Sequence, residues 1–163
     1  PRGGDVWRTD DGVTFRFFGP TAPYLTGTKS DINSNSLVFK VEYGRFAMLF
    51  TGDAGAESER RILSRGYDVR ADVLKVGHHG SAYSSTPQFI RAVAPAAAVI
   101  SVGRNNLFGH PAPETLRTLQ SLGIRIYRTD LDGAVTIDSD GASFRIAPWL
   151  IRAPPPAPHV ERW

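Results

Sequence analysis

Apolar and polar residues alternate through residues 13–18, VTFRFF, and this run ends at Gly19-Pro20. That is the signature of a half-buried strand, and the Asp11-Gly12 turn before it predicts a hairpin with DVWRT at 5–9. Two further apolar runs, SLVFKVEYG and RFAMLFTGD, pivot on Gly44 as a second hairpin. Between the hairpins, residues 21–35 are polar, have no period and carry Gly, Pro, Ser and Asn, so they read as a long functional loop.

After Asp53 the period lengthens. AESERRILSRG places acids early, arginines late and a glycine as the stop, which suits a helix and its dipole. A buried strand, ADVLKVG, follows, and then a helix in SSTPQFIRAVAP with a Ser/Thr cap, proline in its first turn and an end before Pro95. The unit repeats: strand AAAVISVG, helix APETLRTLQSLG stopped by Gly123, strand IRIYRT. GAVTIDSDGASFRIA closes the series as a hairpin turning on Asp140-Gly141. Strands alternating with helices, flanked by hairpins, predict one α/β domain with a mixed sheet over residues 1–148. Residues 149–163 form a proline-rich tail expected to be extended and without a catalytic role.

The 163 residues suffice for one sizeable core, and 41% hydrophobic with 21% charged residues is the balance of an ordinary globular chain. No apolar run approaches the roughly 20 residues that span a bilayer. The opening PRGGDVWRTD has neither an initiator methionine nor an apolar signal core, so the chain reads as a piece of something longer and its localisation is not legible. With no cysteine, any metal must be held by His, Asp, Glu or Asn. The net charge of +3 is dispersed and does not by itself point to nucleic acid.

Three polar clusters fall at the carboxyl ends of predicted strands: TGD at 51–53, GHHGS at 77–81 and GRNNLFGHP at 103–111. In open α/β sheets ligands bind at that edge, so the clusters are expected to line one site. An aspartate with two or three imidazoles suits zinc or manganese. Each residue also has a plainer reading. Asp53, just before a helix, is more often an N-cap than a ligand. His78 and His79, if still on a strand, point to opposite faces. His110 before Pro111, and Asn33, Asn35 and Ser36, read equally well as turn residues.

Taken together, NSNSLVFKVEYGRFAMLFTGD, LKVGHHGS, SVGRNN, HP and YRTDLDGA resemble, in order and spacing, the carboxy-terminal half of the metallo-β-lactamase-like domain of ComEC-type DNA-uptake proteins and their free-standing relatives. The resemblance covers roughly residues 13–138. It implies part of an αββα sandwich, with Asp53 bridging two divalent ions (zinc or manganese) and a second-metal ligand within His78-His79, His79 being favoured. The histidine-rich motif of the superfamily's amino-terminal half has no counterpart here, and Asn33 or Asn35 stands where many relatives carry another histidine.

The complete domain is therefore expected to hydrolyse phosphodiesters, as a nuclease acting on the DNA strand that is not taken up. Asp53, His79 and His78 would serve the metals, His110, Asn106 and Arg104 the chemistry, and Asn33, Asn35 and Ser81 the substrate. This chain alone is expected to be inactive. Two alternatives stand beside it: a noncatalytic half-domain that pairs with itself or with a missing half, and a hydrolase of small phosphorylated or ester substrates. A ComEC-type parent would attach the domain to the cell membrane, on its outer face, with single-stranded DNA as its partner.

Overall fold

The computed structural model describes residues 1–149. The expected tail, beyond Trp149, lies outside the described residues. The strands are β1 (Val6–Arg8), β2 (Thr14–Gly19), β3 (Val38–Tyr43), β4 (Phe46–Phe50), β5 (Val73–Lys75), β6 (Ala97–Ile100), β7 (Arg125–Arg128), β8 (Val135–Ser139) and β9 (Phe144–Pro148). The helices are α1 (Asp31–Ser34), α2 (Ala56–Ser64), α3 (Pro87–Val93), α4 (Pro113–Ser121) and α5 (Thr129–Asp132). Strands β1 to β7 form one mixed sheet in sequence order, antiparallel from β1 to β4 and parallel from β4 to β7, while β8 and β9 pair separately.

The α/β class and the mixed sheet thus match the pattern of the sequence. Two local features differ. The supposed loop of 21–35 contains the single-turn α1, capped by the Ser30 hydroxyl, which accepts the Asn33 N–H. A second short helix, α5, follows β7 directly. Both are too short to leave a helical period in the sequence.

Three crossovers, through α2, α3 and α4, always step to the next strand in the same direction. Right-handed connections of that kind put every helix on one face. Ile62 of α2, Phe89, Ile90 and Val93 of α3 and Leu119 of α4 accordingly share one core with Leu49, Leu74 and Ala98 of the sheet. Lys40 stands in the same row as Leu49 and is 2% exposed. It is tolerated because its ammonium donates to the carbonyls of Asp68 and Arg70 and pairs with Glu42 and Asp68.

The opposite face carries aromatic side chains. Trp7 meets Phe17 edge-on at 4.7 Å, Phe17 lies 5.8 Å from Phe39, and Phe39 stacks on Phe50 at 4.9 Å. Phe15, Phe39, Val41, Met48 and Phe50 there remain partly exposed. The β8–β9 hairpin folds against the β3–β4 turn: the Arg45 N–H donates to the Gly141 carbonyl at 2.6 Å, and Phe46 packs on Phe144 at 5.2 Å.

Two outcomes are expected from these contacts. A methyl group at Gly44, whose φ is +58°, would overlap the Gly141 backbone, which has no side-chain freedom to give way. Gly44→Ala should therefore cost about 1–3 kcal/mol. It should also raise amide exchange in residues 135–148; an unchanged urea midpoint and exchange pattern would contradict this docking. Second, Arg128 grips Asp130 with two hydrogen bonds, at 3.0 and 2.6 Å, and holds its carboxyl below the usual range. A folded pKa below the unfolded one gives stability that is present above the unfolded value and lost as pH falls through the folded one. In urea melts the deficit of Asp130→Asn should be full above about pH 5 and close in stronger acid.

Candidate functional site

The carboxyl ends of the parallel strands β4, β5 and β6 lie at one edge, and hydrogen bonds lace their turns together. The Thr51 hydroxyl donates to the Lys75 carbonyl at 3.0 Å, and the His78 N–H to the Gly52 carbonyl at 3.0 Å. The Ala112 N–H donates to the Gly80 carbonyl at 2.8 Å, which joins the histidine turn to the His110-Pro111 segment. A β-carbon at Gly80 would stand 2.6 Å from the Pro111 side chain, so this approach needs glycine.

Strand β5 has ended at Lys75 before the histidines are reached. Residues Gly77–Gly80 form a 3₁₀ turn in which His78 (φ 48°) and His79 (φ 55°) are both left-handed. The alternation expected of a continuing strand therefore does not apply to them. Left-handed conformation costs a non-glycine residue roughly 1 kcal/mol, and two in succession need support. Glu59 supplies it from α2. Its carboxylate, 1% exposed, accepts the N–H groups of Ser85 and Thr86, while the Ser85 hydroxyl accepts the Gly77 N–H and the Ser84 hydroxyl donates to the Gly77 carbonyl. Burial pushes the Glu59 carboxyl up, against the pull of its hydrogen bonds.

A cleft of about 570 Å³ opens at this edge, and Asn33, Asp53, His78, Ser81 and His110 line it together. The rings of His78 and His110 lie 5.7 Å apart. Burial, and then the proximity of His78 and His79, hold the His110 imidazole below its ordinary range, with Asp53 opposing. Burial likewise lowers the ammonium of Lys75, again against the attraction of Asp53.

Asp53 is not the helix cap: α2 begins after Gly55, and the Asp53 side chain is free to face the cleft. His79 lies beside His78, with ring centroids 6.3 Å apart, but does not line the cleft. Its Nδ1 is 2.7 Å from the Ser101 carbonyl. A carbonyl only accepts, so Nδ1 carries the proton and Nε2 is left as an acceptor in the neutral ring.

The remaining candidates are engaged in holding loops. The Asn35 amide donates to the Leu25 carbonyl and accepts the Leu25 N–H, and the Asn106 amide does the same for His110. Arg104 turns to the Asp130 carbonyl at 3.3 Å. Among the described residues no three His, Asp or Glu side chains converge closely enough to hold a metal ion. The donor set as it stands does not fit a resident metal without ligands from elsewhere.

No protein-family model matches the chain. Over 132 residues, 81% of its length, it is 39% identical to ComE operon protein 3 of Bacillus subtilis, and over 126 residues, 77%, it is 37% identical to competence protein ComA of Neisseria gonorrhoeae. Its homologues include a competence protein. A third, recombination protein 2 of Haemophilus influenzae, is 33% identical over 138 residues. The chain spans only 16%, 18% and 17% of the lengths of these three relatives.

The cleft also gathers residues that pattern reading passed over: Lys29, Glu57, Arg60, Tyr83 and Phe108. Glu59 was equally hidden, as one acid among several in a helix. Glu59→Ala would leave the buried Ser85 N–H and the part-buried Thr86 N–H unpaired and should cost roughly 2–4 kcal/mol. Glu59→Gln, which keeps an acceptor, should cost less. The ring resonances of His78 and His79 should shift in both variants; resonances and a urea midpoint unchanged by Glu59→Ala would remove Glu59 as the support of this turn.

Proposed function

We propose that the chain is the carboxy-terminal half of a metallo-β-lactamase-like αββα domain serving competence, and that the complete domain is a metal-dependent nuclease acting on DNA. The competence assignment rests on the relatives' names. The hydrolase assignment rests on one observation above all: Asp53, His78 and His110 reach a single cleft from three successive parallel strand ends. In this reading Asp53 and one imidazole of His78-His79 belong to a zinc or manganese site whose other ligands come from outside the described residues. His110 then serves substrate or leaving group, with Asn106 setting its position.

The partly exposed aromatic face favours completion by a second sheet, since contiguous apolar surface of this kind marks an interaction site. That sheet would come from the rest of a longer polypeptide or from a second copy. The same observation suits the reading of a noncatalytic half-domain, which binds a partner without hydrolysing anything. Among the described residues no helix is long and apolar enough to cross a membrane, and attachment to the outer face of a cell membrane belongs to the proposal.

The test is made in the full-length parent. Asp53→Asn and His78→Ala should each lower metal-dependent DNA cleavage by roughly 10- to 100-fold or more and transformation with it. Unchanged cleavage in both variants would overturn the site, and unchanged transformation would overturn the competence role.

A further inference from the structure

The cleft presents aromatic faces to solvent beside cations. Phe108 is 82% exposed, although it lines the cleft, and its ring is nearly parallel to that of His110, at 19° and 6.1 Å. Tyr83, which also lines the cleft, is 62% exposed, and the Lys29 ammonium sits over one face of its ring at 3.3 Å. Arg60 lines the same cleft and also the adjoining groove, where Arg61, Glu57, Gly27 and Thr28 continue the wall. Asp53 and Glu57 are the carboxylates of the lining, and Glu57 stands one helical turn from Arg60.

A phenyl ring left this open beside the charged side chains of the cleft does little for folding. It offers a π-face, and the cations beside it offer anion contacts. A ligand that alternates flat aromatic groups with phosphates matches both at once, and stacking demands a flat group whose faces are not already covered by its neighbours in a duplex stack. We infer that Phe108 and Tyr83 are base-stacking platforms for single-stranded nucleic acid, whose phosphates follow Lys29 and Arg60 from the cleft into the groove beside Arg61. This deepens the nuclease reading by naming the residues that select a single strand, and it rests on that reading only for its purpose.

The test uses this chain without divalent ions, so that binding is separated from cleavage. Fluorescence anisotropy with a labelled oligothymidylate of about 12 nucleotides, within the usual span of such sites, is compared with a duplex of the same length. Single-strand binding should be the tighter. Phe108→Ala should weaken it about 5- to 100-fold, Phe108→Leu nearly as much, and Phe108→Trp should restore it. Lys29→Ala and Arg60→Ala should each flatten the salt dependence by about 0.7 in log–log slope. Circular dichroism of the Phe108 variants should be unchanged, since the side chain is exposed. Equal affinity for duplex, binding indifferent to Phe108→Ala, or no binding at all would overturn the inference. None of these results bears on Asp53-dependent cleavage by the parent protein.

Discussion

The handedness of three crossovers governs the rest of this structure. Each of α2, α3 and α4 carries the chain from one parallel strand to the next, always in one direction, so the helices must gather on one side of the sheet. The same rule brings three strand ends, with Asp53, His78 and the approach to His110, to one edge. It also leaves the aromatic face of β2 to β4 without a crossover helix of its own. The cleft and the partly exposed aromatic face are two consequences of one topological constraint.

Within that frame the histidine turn is the costly element. Two successive left-handed histidines and the buried carboxylate of Glu59 both oppose folding in isolation. They are compatible because they meet: Glu59 accepts the two N–H groups at the start of α3, and the serines between them hold Gly77 by its own N–H and carbonyl. A buried carboxylate that does not itself line the cleft thus supports the turn that carries side chains into it. Such arrangements are stable only when every polar group is paired, and among the described residues no buried side-chain nitrogen or oxygen lacks a partner.

The sequence made the elements legible wherever a period or a breaker marked them. Alternation located β2, β3 and β4, and proline and glycine bounded α3 and α4, because those signals are local. Side-chain partners separated by long stretches of chain left no such trace. Nothing near Asn35 reveals that Leu25 occupies its amide, and nothing near His79 reveals Ser101. Whether the strand still ran at His78-His79 stayed open for a related reason, since a run of apolar residues gives no sign of where the extended backbone stops. Lys29, Tyr83 and Phe108 belong to segments without period, so only their meeting in space identifies them.

The donor count and the aromatic face bear on each other. If the proposed metal site exists, a chain that brings Asp53 and three imidazoles close together, yet no three acid or imidazole side chains of the described residues within reach of one ion, needs groups from elsewhere to complete it. Sheets pack face to face about 10 Å apart. In that proposal, a second sheet laid on the aromatic strip would bring its own strand ends toward this edge. Burying Phe15, Phe39 and Phe50 would then drive the association that delivers the missing ligands, so that assembly of the core and completion of the site become a single event. On that reading the cleft has no metal affinity to lose in the isolated chain, and gains it only as the aromatic face is covered.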